Sequence, residues 1–271
     1  MTAIEATRAP VRTQAGNPGL SNALHAEWIK LWSVRSSVWT MVALLGFGAG
    51  LTALICATTA DGIASGEAGE PAGAFITWGM MIAQVTAVVL GVLAVSNEYG
   101  NGMIRTTLTA TPRRKRVLLA KSAVLAAVLF VGGTVTAFAG YFAGNPFLDA
   151  EGVGLSLGDD GVIRAMFGSG LYLAALGLFS AALAFLVRHT AAAISIALAL
   201  IFVVGNLVLL VPGQTGDWLM KLMPGNAGSN ISTVVNFNPD LLAPWTGFGV
   251  FCLETAVLFA FAAMRFVRRD A

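Results

Sequence analysis

The chain has 271 residues, of which 56% are hydrophobic and 11% charged, with a formal net charge of +2 and a mean hydropathy of +0.77. Soluble domains carry about 25% charged residues. This composition therefore excludes a water-soluble globular protein and describes an all-α integral membrane protein. The length accommodates about six helical spans of roughly 20 residues each.

Residues 1–20 are mixed polar, with Pro10, Gly16 and Pro18, and read as a flexible cytoplasmic tail. No short basic start leads into an apolar run here, so a cleavable signal peptide is not expected. Residues 21–37 read as an amphipathic helix capped by Ser21 or Asn22. Leu24, Trp28, Leu31 and Trp32 share one face, and Glu27, Lys30 and Arg35 lie off it. The pattern suits an interfacial helix with Trp28, Trp32 and Trp39 at headgroup level. A plain juxtamembrane extension fits the periodicity nearly as well.

Six apolar spans follow, at about 38–59, 73–95, 122–142, 163–187, 191–210 and 245–267, and residues 268–271 close the chain. Span 1 carries Gly46 and Gly50 at GxxxG spacing, which permits close helix approach. Cys56 and Cys252 sit in apolar runs without a CxxC pair and read as small apolar residues. The polar groups inside spans are Gln84, Asn206 and Glu254. Intramembrane acids are functional candidates; for Glu254 a protonated or hydrogen-bonded structural carboxyl is the competing reading. His189, in the tight connection Arg188-His189-Thr190, reads as a surface residue.

Charge sets the orientation. All of the 16 Lys and Arg except Arg164 and Lys221 fall in the N-terminal region, the interval after span 2, the turn after span 4, or the C-terminus. Nine of the 14 acids lie in the other three loops. Both termini are therefore expected in the cytoplasm of a multi-pass plasma-membrane protein.

The interval Ser96 to Lys121 is the most basic stretch, with Arg105, Arg113, Arg114, Lys115, Arg116 and Lys121 against Glu98 alone. Asn101-Gly102 is a turn or cap signal. Met103, Ile104, Thr107 and Leu108 give apolar surface at helical spacing around Arg105, until Pro112 ends the segment. The pattern predicts a short surface helix braced by turns, presented to something in the cytosol. A solvated basic loop facing lipid headgroups is the plainer alternative.

The run Glu98-Tyr99-Gly100-Asn101-Gly102-Met103-Ile104-Arg105-Thr106-Thr107-Leu108, with Pro112, Arg113 or Arg114, and Lys121, resembles the signature of ABC-2 type transporter permeases. Residues 26–37 resemble the amphipathic helix that leads into the first span of that family. The resemblance implies a cytoplasmic coupling helix between spans 2 and 3, docking on a separate ATP-binding-cassette ATPase. Its contact residues would be Glu98, Gly102, Met103, Ile104, Arg105, Thr107 and Leu108. It also implies a second permease copy or homologue as partner, and ATP bound by the ATPase rather than by this chain.

The connection from Pro212 to Pro244 is long for a plain loop. Apolar residues from Trp218 to Phe237 are interrupted by Pro224-Gly225, Gly228 and Asn238-Pro239. It reads as two short re-entrant helices packed against protein, with Leu222 and Val235 sheltered and Gly216 accessible. Met223-Pro224-Gly225-Asn226-Ala227-Gly228 resembles a pattern before the last span of family members, which implies an outer gate. A structured loop without gating is equally compatible.

The four lysines never follow a glycine, so no GxxxxGK[ST] phosphate loop occurs. Zinc-ligand, HExxH and GxSxG patterns are missing too. No catalytic residue, metal, cofactor or nucleic-acid partner is expected. The combined reading is an exporter permease that moves an apolar or amphipathic substrate, such as a drug, peptide antibiotic or lipid-like molecule, using a partner's ATP hydrolysis. An ion-driven secondary transporter and a non-transporting sensor or immunity protein are the alternatives.

Overall fold

A computed structural model describes residues 19–100, 102, 114–235, 238 and 240–269. Helix α1, Leu20–Ser33, ends at Val34, whose extended backbone (φ −92°, ψ 115°) turns the chain into α2, Arg35–Ala64. The short α3, Ala72–Phe75, leads into α4, Gly79–Gly100. Then come α5, Arg114–Ala150, and α6, Val162–Val187. Helix α7, Thr190–Leu198, runs on through a π-helical turn, Ala199–Val204, into α8, Gly205–Leu207. After α9, Gln214–Leu222, and α10, Pro224–Ser229, the last helix is α11, Pro244–Arg269. No strand occurs among the described residues.

Six stretches are long and apolar enough to cross a membrane: Arg35–Ala64, Ala72–Gly100, Lys115–Ala150, Val162–Val187, Thr190–Leu207 and Pro244–Phe266. Helix is the form that lets such segments satisfy every backbone group internally. The bundle has a basic end, where α1, the first turns of α5 and Arg188 lie, and an acidic end carrying the loops after α2, α5 and α8.

Helix α6 is the axis of the bundle. In its most apolar window 72% of residues are buried, against 22% in α2, in the α7–α8 stretch and in α11. Leu173 and Leu176 of α6 pack with Val88 and Leu90 of α4 and with Leu125 and Leu129 of α5, all fully buried. Small residues set the spacing. A Cβ on Gly91 of α4 would stand 2.4 Å from the Gly177 carbonyl oxygen of α6, so the two backbones touch there. On α2 the packing glycine is Gly48, where a Cβ would fall 2.2 Å from Thr136. A Cβ on Gly46 or Gly50 would meet nothing within 4 Å among the described residues.

The turn at the basic end between α6 and α7 is capped from both sides. Arg188 takes a left-handed conformation (φ 59°) and its guanidinium lies 5.5 Å from the Tyr99 ring. His189 caps α7, its Nδ1 accepting from the Ala192 backbone N–H at 3.3 Å.

At the acidic end the segment after α9 is packed into the bundle. Gly225, Ala227, Gly228, Asn230, Ile231 and Ser232 are buried against α6 and α11. Arg164 of α6 donates to the carbonyls of Asn230 (3.3 Å) and Val234 (3.2 Å), and Asn230 donates to Leu242 (2.8 Å). One expectation is reversed here: Gly216 is buried and Leu222 is 42% exposed. Helix α9 is amphipathic and turns Gly216 and Met220 inward, which leaves Trp218, Leu219 and Leu222 on its outer side.

Candidate functional site

Four charged side chains meet at the basic end. Lys121, near the start of α5, donates to Glu27 Oε2 of α1 at 2.7 Å, to Glu98 Oε1 of α4 at 3.1 Å and to the Ala94 carbonyl at 2.9 Å. Lys30 of α1 donates to Glu27 Oε1 at 2.7 Å and to the same Glu98 oxygen at 3.0 Å. Acid and base alternate around a closed ring, Glu27–Lys30–Glu98–Lys121, in which every member has two opposite charges as neighbours. Glu27, Glu98 and Lys121 are buried, and the Lys30 side chain is half-buried.

Burying charges is unfavourable unless they are paired and hydrogen-bonded, and the ring meets that condition with zero net charge. Burial pushes the Glu27 carboxyl toward a higher pKa, but the Lys121 and Lys30 ammonium groups outweigh it and hold the carboxyl below its ordinary value. Burial likewise works to lower Lys30, but its bonds to the Glu27 and Glu98 carboxylates prevail and raise it. At neutral pH the Glu27–Lys30 edge is ionised on both sides.

The ring bridges elements that the sequence separates. Glu98 lies three residues before Asn101, and Lys121 lies one α5 turn past Val117, so the two ends of the 101–113 interval are fastened to each other and to α1. The sequence reading set the Leu24–Trp28–Leu31–Trp32 face apart from Glu27 and Lys30 on α1. In the structure Glu27 and Leu31 face the bundle, while Trp28 and Trp32 are 48% and 40% exposed. A charge in a membrane protein is least costly against other charges in the bundle, and a tryptophan is at home outside it.

A second polar locus lies nearer the acidic end. A cavity of about 230 Å³ opens between α4, α6, the π-helical turn and α10. Gln84 and Asn206 both line it. The Tyr172 hydroxyl donates to Gln84 Oε1 at 2.6 Å, and Asn206 donates to the Phe202 carbonyl at 2.6 Å. Glu254 lies elsewhere, half-buried on α11, and its Oε2 has no hydrogen-bond partner among the described residues.

The expected contact residues Met103, Ile104, Arg105, Thr107 and Leu108 fall outside the described residues. Gly102 is described, exposed and left-handed (φ 66°), as a turn glycine requires. Sequence reasoning placed Glu98 among the docking contacts; in the structure its partners are Lys30 and Lys121. It missed Glu27, Lys30 and Tyr172 as site residues. A signal for two of the four ring members was nevertheless present. Between residues 20 and 121 the basic end carries only two acids, Glu27 and Glu98, amid many bases.

No curated protein matches the chain. Residues 33–271 match the family of ABC-2 family transporter proteins, a range that takes in all six apolar stretches and every helix and turn of the ring and cavity after α1. The chain belongs to the ABC-2 family of transporter proteins, as a membrane permease.

Proposed function

We propose that the chain is the permease subunit of an exporter in which a separate cassette ATPase drives outward movement of an apolar or amphipathic substrate. The observation that carries this reading is the charge ring. A surface segment that receives force from another protein must be braced at both ends, and here both ends of the 101–113 interval are tied to each other and to α1. On this reading α1 lies in the membrane interface, with Trp28 and Trp32 at headgroup level, and Met103, Ile104, Thr107 and Leu108 dock on the ATPase with Arg105 pairing an acid there. ATP is bound by the partner, and this chain supplies no cofactor site.

The basic end is cytoplasmic, with both termini, in the plasma membrane. The segment from α9 to Ser232 is the re-entrant element and shapes the outer end of the path. Two permeases form the working unit. In support, α2 and the α7–α8 stretch are each 22% buried in their most apolar windows, and Gly46 and Gly50 face open space on α2.

The test is co-purification of a cassette ATPase, and its ATP hydrolysis, with wild type, Arg105→Glu and Arg114→Glu. Arg105→Glu places like charge at the contact and reduces both. Arg114→Glu makes the same change of net charge outside the contact and retains both. Equal behaviour of the two variants, or no ATPase bound to wild type, overturns the coupling.

A further inference from the structure

The cavity near the acidic end differs from a packing defect in its chemistry. Among the described residues its wall contains no Asp, Glu, Lys, Arg or His. Met80, Met81, Ile201 and Phe202 supply apolar surface, and Trp78 an aromatic face. Among these stand polar groups whose hydrogen-bonding capacity is only part used. Gln84 is 5% exposed and its Oε1 is taken by Tyr172, yet its amide nitrogen has no partner among the described residues. The Thr77 hydroxyl, on a residue 6% exposed, has none either. Asn206 and Asn226 spend their amide nitrogens on the carbonyls of Phe202 and Met220, which leaves each side-chain oxygen free.

These polar atoms open onto the cavity rather than being sealed in the core, so their unused capacity is available to whatever occupies that space. Tyr172 also fixes which way Gln84 points: a hydroxyl donating to Oε1 leaves the amide N–H₂ as the free group. The wall therefore offers donors from Gln84 and Thr77 and acceptors from Asn206 and Asn226, over an apolar floor. A lone ion is a poor fit, because no counter-charge lines the wall and an unpaired charge in such surroundings is very costly.

Size narrows the choice. Pockets that enclose a drug-sized molecule run to about 300–1,000 Å³, and this one holds about 230 Å³. We infer that the cavity binds the uncharged, oxygen-bearing end of an amphiphile, a hydroxyl, ester or amide head whose acceptor meets Gln84 and whose apolar remainder lies along Met81 and Phe202. The site deepens the exporter reading by naming a ligand class, but binding there requires neither the ATPase nor transport.

The experiment uses the full chain in lipid nanodiscs, without ATP or partner. Three photoactivatable probes share one acyl chain and differ in head: a monoacylglycerol, the corresponding fatty-acid anion and the corresponding alkylammonium. The monoacylglycerol is expected to label α4 and the π-helical turn, at Met80, Met81 or Phe202, at least about fivefold more than either charged probe. Gln84→Met keeps the side-chain length, removes the donor and lowers that labelling roughly fivefold, the effect of one hydrogen bond. Ser229→Phe fills the cavity from the α10 side and abolishes the labelling without touching the Gln84–Tyr172 bond. Equal labelling by all three probes overturns the inference, as does labelling that survives Ser229→Phe. Because no ATPase is present, loss of coupling in the Arg105 assay leaves this result unaffected, and absence of labelling here leaves the coupling assay unaffected.

Discussion

The two polar loci of this membrane protein are built on opposite rules. At the basic end four charges close a ring, and the three protons of Lys121 are all spent on hydrogen bonds to Glu27, Glu98 and the Ala94 carbonyl. Nearer the acidic end the groups are uncharged and their capacity is left part unused, around a cavity of about 230 Å³. Saturated charge fastens helices together, since removing one member exposes its neighbours to an uncompensated environment. Unsaturated neutral groups leave room for something else to bind. A permease needs both properties, and this chain keeps them at different depths.

Breaking the ring has the largest expected effect. Lys121→Met leaves two buried carboxylates sharing Lys30, and we expect a loss of about 3–5 kcal/mol in stability, read as a lowered unfolding temperature in nanodiscs. Gly91→Ala, away from both loci, drives a methyl into the Gly177 backbone and is expected to cost about 1–3 kcal/mol by overpacking. That variant measures what packing alone contributes where no polar group is involved.

Acid is a gentler way to open the ring. The Glu27 carboxyl is held below its ordinary value of 4.5. Its contribution is thus fully present above that pH and is lost as pH falls through the lower, folded-state pKa. Lys30 is raised above its ordinary 10.5, so its contribution is present below that pH and is lost as pH rises through the higher folded-state value. Unfolding temperature measured against pH should fall off below about 4.5 in wild type and more shallowly in Glu27→Gln. Equal slopes would detach Glu27 from the ring.

The smallest effect sharpens the contrast. Glu254 is an acid in a span without a partner for Oε2 among the described residues. Glu254→Gln is expected to change stability by no more than about 0.5 kcal/mol, whereas Glu98→Gln, an identical chemical change inside the ring, is expected to cost several times as much. Comparable losses would mean that an acid's depth, and not its partners, sets its importance.

Much of the architecture could be read from the sequence because lipid imposes a single rule on every span. Six apolar runs became six long helices, although α5 extends to Ala150, beyond the expected end near residue 142. Family membership was likewise legible, in the run from Glu98 to Lys121. For α1, periodicity separated the Leu24–Trp28–Leu31–Trp32 face from Glu27 and Lys30 but carried no sign that Glu27 turns into the bundle while Trp28 and Trp32 stay exposed. The ring itself joins residues 27 and 121, and spacing along a chain carries no sign of such a pairing. The part-used amide of Gln84 was similarly hidden, since its meaning depends on Tyr172, 88 residues away, and on the space beside it.

The most direct probe of the ring is a double-mutant cycle on Glu27 and Lys121, read as unfolding free energy in nanodiscs. Glu27→Gln leaves two bases facing one acid, and Lys121→Met leaves two acids facing one base. The double variant keeps the balanced Lys30–Glu98 pair. A ring predicts that the double variant loses less than the two single losses combined, by about 1–3 kcal/mol. Losses that add to within about 0.5 kcal/mol would show that Glu27 and Lys121 act independently, and the clamp between α1 and the ends of the 101–113 interval would have to be abandoned.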